Sequence, residues 1–135
     1  MKKNSPSLYE TSLNLFKDNY FLQALEKIQQ QPHQTPEDLE LIAKCHYNLE
    51  EFEEALSNFL ELSKSNVEKK KYSTDIGLCY LKQGNFEHAI SAFSFSLNST
   101  PDDKQLLYLL ADCYFKQGKL HQAHNYYEKI LALDP

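Results

Sequence analysis

The sequence predicts an all-α solenoid of four helix–turn–helix hairpins. Three observations carry this prediction. First, like residues recur at a step of 34: Cys45, Cys79 and Cys113; Ala55, Ala89 and Ala123; Phe59, Phe93 and Tyr127. Second, apolar residues within one step have helical spacing. Ser73, Ile76, Gly77 and Tyr80 fall at i, i+3, i+4 and i+7, and Phe86, Ala89, Ile90, Phe93 and Leu97 resume the pattern after a break at Gln83-Gly84-Asn85. Third, glycine is scarce, and Gly84 and Gly118 both sit at that break, one step apart. Two short amphipathic helices cannot bury their apolar faces alone, so a repeated hairpin predicts stacking around a shared core.

The chain is read as one domain over residues 1–135, with repeats at approximately 5–35, 36–69, 70–103 and 104–135. The first repeat is the most degraded. In LFKDNYFLQALEKI, Leu15 falls in the Tyr80 column, Asn19 in the Gly84 column, Ala24 in the Ala89 column and Ile28 in the Phe93 column. From Ala24 to Ala55 the step is only 31, so about one helical turn is missing between Gln29 and Leu39. Ser5-Pro6, Thr35-Pro36 and Thr100-Pro101 read as helix starts, a capping hydroxyl followed by proline in the first turn. Asp38 and Asp103, three residues on, approximate capping boxes. At the hairpin turns glycine suits a left-handed backbone and Asn19 tolerates it, whereas Glu50 does so less well. The second repeat's turn is therefore expected to be the most strained.

Composition narrows the function. At 135 residues, 41% hydrophobic and 24% charged, the chain suits a soluble globular protein. Net charge is −5, and every basic residue is lysine. An acidic chain without arginine is a poor nucleic-acid binder, because duplex affinity rests on neutralising phosphates. MKKNSPSLYETSLN has no apolar signal core, and no apolar run approaches the ~18 residues of a membrane span. Three cysteines without an export signal suggest a reduced, cytoplasmic setting.

The 34-residue hairpin resembles the tetratricopeptide repeat. Ile76-Gly77, Tyr80, Gly84, Phe86, Ala89, Phe93 and Pro101 match that family's large–small pair, aromatic, turn glycine, second aromatic, packing alanine, third aromatic and closing proline. Leu110-Ala111, Tyr114, Gly118, Leu120, Ala123, Tyr127 and Pro135 do so again. The departures are Ser73 at the bulky first position, which Leu8, Leu39 and Leu107 fill elsewhere, and His46 and Val67 in place of the second repeat's aromatic and proline. The resemblance implies a right-handed solenoid. In it, Ser12, Ala43, Gly77 and Ala111 face Ala24, Ala55, Ala89 and Ala123 across each hairpin, and first helices line a concave groove.

Potential chemical sites read mostly as scaffold. The cysteines fill one column on successive repeats, about 8–10 Å apart by helix packing, beyond the ~7 Å Cα limit of a disulfide. They also lack zinc-type spacing and read as small buried hydrophobes. His121 and His124 could share a metal but have no evident third ligand, so neither metal nor cofactor is expected. LEEFEEAL reads as an acidic helix start. No phosphate loop, GxSxG elbow or HExxH occurs, and no enzyme is expected.

The resemblance leaves the groove as the binding surface. Its predicted lining is Tyr9, Leu13, Phe16 and Lys17; Lys44, Tyr47 and Asn48; Lys71, Thr74, Leu78, Leu81 and Lys82; and Tyr108, Asp112, Phe115 and Lys116. One column runs Phe16, Tyr47, Leu81, Phe115 and the next Lys17, Asn48, Lys82, Lys116, an apolar ladder beside lysines, suited to a peptide or helix with acidic flanks. The family's carboxylate clamp is not reproduced, because its places hold Glu40, Lys44, Asp75, Gln105 and Leu109 or, in the earlier register, Tyr9, Leu13, Leu41, Lys71 and Asp75. The expected function is a non-catalytic protein-interaction module, an adaptor or scaffold with a protein or peptide partner. One alternative is a homo-oligomeric assembly scaffold. The sequence stops at ALDP, so Ile130, Leu131 and Leu133 call for a longer chain or for self-association through the last helix. The other is a secretion-type chaperone for hydrophobic segments.

Overall fold

The computed structural model describes residues 5–64 and 69–134. Among them, eight helices pair into the four expected hairpins: α1 (Leu8–Lys17) with α2 (Phe21–Ile28), α3 (Pro36–Asn48) with α4 (Phe52–Leu62), α5 (Lys69–Lys82) with α6 (Phe86–Leu97), and α7 (Lys104–Lys116) with α8 (Leu120–Leu133). No strand occurs among the described residues. The chain forms two compact units, residues 1–62 and 63–135, each holding two hairpins.

All four hairpin turns close alike. At the third hairpin, Gly84 N–H donates to Leu81 O at 3.0 Å and Asn85 N–H to Tyr80 O at 2.9 Å. This is a Schellman ending, which needs a left-handed residue at its corner. Gly84 and Gly118 supply it at φ 76° and 77°, and Asn19 and Glu50 adopt it at φ 67° and 62°. A side chain in this region costs about 1–2 kcal/mol, least for Asn, so Glu50 holds the most strained corner, as expected. A hydrogen bond of 3.1 Å between His46 Nδ1 and Glu51 Oε1 spans the same turn.

The helix starts bear out one expectation and correct two. Thr35 caps α3 in a full capping box: Asp38 N–H donates to Thr35 Oγ1 at 3.2 Å, and Thr35 N–H to Asp38 Oδ2 at 3.0 Å. At α1 the cap is Ser7, which accepts from Glu10 N–H at 3.1 Å, so Ser5-Pro6 lies before the helix. At α7 the cap is Asp103, whose Oδ1 accepts from Gln105 and Leu106 N–H at 3.0 and 3.2 Å. Thr100-Pro101 instead forms a turn closed by Asp103 N–H to Thr100 O. A carboxylate at the cap position outcompetes the upstream hydroxyl, because it accepts two N–H bonds and meets the positive end of the helix dipole.

The missing turn of the first repeat comes off the end of α2. That helix stops at Ile28, in the column of Phe59 and Phe93, while α4 and α6 run on to Leu62 and Leu97. Val67 and Pro135, assigned to the closing-proline column, lie outside the described residues.

In unit 1 the core gathers Ala24, Leu25, Ile28, Leu41, Ile42 and Cys45. In unit 2 it gathers Ala89, Phe93, Leu106, Leu110 and Cys113. Both small-residue columns are buried. At Gly77 the fit is closest: a Cβ there would lie 2.5 Å from Phe93 Cε1. The absent side chain lets a fully buried phenyl ring, worth about 1.5–3 kcal/mol of hydrophobic stabilisation, lie directly on the α5 backbone.

Candidate protein-interaction face

In unit 1, α1 and α3 bring several of the expected groove residues together. Tyr9, Leu13 and Phe16 from α1 meet Glu37, Glu40, Leu41 and Lys44 from α3 around a small cavity of about 60 Å³. Phe16 is half-buried and pinned edge-on against Phe21, ring centroids 5.2 Å apart. Tyr47 is held the same way by Phe52, at 5.4 Å. Lys44 Nζ lies 3.5 Å from Glu40 Oε1, and Asn48 Nδ2 donates to the Lys44 carbonyl at 2.8 Å. Lys17 is exposed at the end of α1.

In unit 2, Leu78 and Leu81 are half-buried and packed on the core cluster. Tyr108 and Phe115 on α7 are 55% and 57% exposed. The difference from unit 1 lies in the partner of the turn. Where Phe21 and Phe52 cover Phe16 and Tyr47, the last hairpin has Leu120, itself 60% exposed, so Phe115 stands out into solvent. Tyr108 touches Tyr127 edge-on at 6.3 Å. Lys116 pairs with Asp112 at 3.2 Å, and Lys82 is exposed. The two units also differ in charge: residues 1–62 hold 5 lysines and 11 carboxylates, residues 63–135 hold 9 and 8.

The cysteines are fully buried free thiols. Burial pushes the Cys45 thiol from its ordinary 9.0 to about 11. Burial first and the Asp75 carboxylate second push Cys79 to about 12. Cys113 rises to about 11 by burial and Asp112, with Lys116 opposing. Such thiols carry almost no thiolate at neutral pH and make poor nucleophiles or ligands. His124 is exposed where its column otherwise holds Leu25, Leu56 and Ile90; it pairs with Glu128 at 3.3 Å, along a last helix whose Leu131 is 66% exposed. Among the described residues no group of three His, Cys, Asp or Glu side chains is placed to hold a metal ion.

Comparison with known proteins fits this architecture. The family described as anaphase-promoting complex, cyclosome, subunit 3, a tetratricopeptide-like family, matches residues 61–130, just over half of the chain. The chain belongs to this tetratricopeptide-repeat family. Its fold class, an all-α solenoid of helical hairpins, recurs in solved structures. MamA from Desulfovibrio magneticus RS-1, residues 41 to the end, is 21% identical with a TM-score of 0.84, covering 95% of this chain and 74% of that one. A crystal structure of MamA is 16% identical with a TM-score of 0.82, covering 94% and 76%. MamA MSR-1 is 15% identical with a TM-score of 0.83, covering 94% and 75%. No curated protein matches the sequence. No described helix of this tetratricopeptide-repeat protein is long and apolar enough to cross a membrane.

A hydroxyl cluster in unit 2 is a feature that sequence reasoning missed. Ser73, unusual at the repeat's bulky first position, bonds to Ser96 and donates to Lys70 O at 2.9 Å. Thr74 donates to Ser96 Oγ at 2.9 Å, and Lys70, Lys71, Ser99 and Thr100 surround the adjoining cleft. The signal was in the columns. Ser73 aligns with Leu39 and Leu107, and Ser96 with Leu62 and Ile130, so two apolar positions turn polar together in one hairpin.

Proposed function

We propose that this chain is a non-catalytic protein-interaction module that binds a peptide or helix of a partner along the first helices of its hairpins. The repeats at approximately 5–35, 36–69, 70–103 and 104–135 serve as one interaction domain. The carrying observation is on α7, where Tyr108 and Phe115 are more than half exposed, with Asp112 one turn from each and paired with Lys116. Aromatic side chains bury large area at low entropic cost and dominate interface energetics, and a neighbouring polar pair fixes orientation. Membership of a tetratricopeptide-repeat family supports an interaction module. The test is co-purification with wild type, a Tyr108→Ala/Phe115→Ala variant and a Leu131→Ala control. A partner recovered by wild type and control but lost by the double variant supports the α7 face. Equal recovery by all three overturns it.

One observation favours a second reading, self-association through α8. Leu120, Leu131 and Leu133 are 60%, 66% and 37% exposed on that helix. Sedimentation equilibrium separates the readings: a dimer abolished by Leu131→Asp supports self-association, and a wild-type monomer at high concentration removes it.

A further inference from the structure

The notch between α1 and α3 in unit 1 combines three features. Its floor is aromatic and aliphatic, built from Tyr9, Leu13, Phe16 and Leu41. It is small, about 60 Å³, on the scale of a slender aliphatic stem. Its rim carries two carboxylates, Glu37 and Glu40, one helical turn apart on α3. Lys44 partly offsets Glu40 at 3.5 Å, whereas Glu37 is exposed and makes no ion pair among the described residues. Around them, unit 1 carries 11 carboxylates against 5 lysines.

We propose that this notch takes a lysine or arginine side chain of the partner. This refines the peptide-binding reading above and rests on it. The side chain's methylene stem lies on Leu13 and Leu41, as long cationic side chains cover apolar surface while keeping the charged head in water. The cation passes Tyr9 and Phe16, whose ring faces attract it, and ends between Glu37 and Glu40. Phe16, pinned by Phe21, needs no reordering to receive it. The partner's cation competes with Lys44 for Glu40. An acidic side chain is rejected, because the site adds a third negative charge with Lys44 already engaged.

The test is an NMR titration of the full chain with three acetylated, amidated hexapeptides that differ at one central position: lysine, uncharged norleucine of like shape, or glutamate. The lysine peptide is expected to shift the amides of Leu13, Leu41 and Lys44 saturably and to bind at least tenfold tighter than the norleucine peptide. The glutamate peptide is expected to leave those amides unmoved. Glu37→Gln/Glu40→Gln, which keeps shape, should bring the lysine peptide down to the norleucine level. Lys44→Met should tighten it by removing the competitor. Equal affinity for lysine and norleucine peptides, or no loss in the Gln/Gln variant, overturns the cation assignment. Such a result leaves the α7 reading intact if the Tyr108→Ala/Phe115→Ala variant still loses its partner. If none of the peptides moves the α1–α3 amides, the notch assignment falls.

Discussion

Replacing Gly77 with alanine tests how closely the third hairpin is packed. The new Cβ would lie 2.5, 2.7 and 3.0 Å from Phe93 Cε1, Cδ1 and Cζ. Carbon atoms rest at about 3.5–4.0 Å, so the ring must retreat by roughly 1 Å. Phe93 is fully buried in a cluster with Ala89, Leu106, Leu110 and Cys113. Overpacking of this kind costs about 1–3 kcal/mol. Opposing it, alanine in a helix interior is better than glycine by about 1 kcal/mol. The net expectation for Gly77→Ala is a loss of about 0–2 kcal/mol, too close to zero to decide alone. A double-mutant cycle with Phe93→Leu decides it, measured by urea unfolding followed by far-ultraviolet circular dichroism. With Cε1 and Cζ gone and the leucine Cδ atoms free to take another rotamer, the clash is relieved and Gly77→Ala should become stabilising by about 1 kcal/mol, a coupling of at least ~1 kcal/mol between the two sites. Additive effects, with Gly77→Ala the same in both backgrounds, would refute the claim that glycine is required by the ring.

Three further outcomes are expected. Glu50→Gly should stabilise by about 1 kcal/mol in urea unfolding, because it removes a left-handed side chain at φ 62°; no gain would contradict the strain assigned to that corner. Ser96→Ala should cost about 1–3 kcal/mol by leaving the buried Ser73 hydroxyl short of its side-chain partner, while Ser73→Leu/Ser96→Leu should recover most of that loss, since neighbouring hairpins hold Leu39/Leu62 and Leu107/Ile130; a double variant as unstable as the single one would count against the pairing. The thiols should resist alkylation at pH 8 until the chain unfolds. They stay protonated in the folded state to about 11–12 but ionise near 9.0 when unfolded, so their contribution is complete below pH 9 and is lost as pH rises towards 11–12; rapid labelling of the native chain, or no alkaline loss of stability, would contradict their burial.

Most of the fold was legible because it is written several times. A single Cys-Tyr pair or a single alanine means little, but Ala55, Ala89 and Ala123 at equal steps identify a buried column, and all three are buried. The hairpin corners were equally plain, since a left-handed residue admits few side chains. Helix starts were less legible, because several residues could act as the cap: Ser5 and Ser7, or Thr100 and Asp103, differ by a few positions, and the choice depends on which side chain reaches the free N–H groups. The candidate interaction face was legible as a list of positions but not as a distribution of exposure. Phe16, Tyr47 and Phe115 share one column, yet the residue five places on determines which ring is covered, and Leu120 leaves Phe115 open. The Ser73–Ser96 pair was obscured because each serine taken alone resembles a tolerated departure, and the compensation appears when α5 and α6 are placed side by side.

The Schellman corners bear on how such a chain changes length over generations. Each corner is closed by two backbone bonds that reach only into its own hairpin, as from Gly118 and Lys119 back to Phe115 and Tyr114. Among the described residues, these closing bonds all stay within one hairpin. Copying or deleting 34 residues would therefore carry a complete corner along with the helices it joins. Copy number is then open to variation while the internal geometry of each hairpin is inherited intact. Such copying would leave near-identical stretches one step apart, as CYLKQG and CYFKQG are at Cys79–Gly84 and Cys113–Gly118.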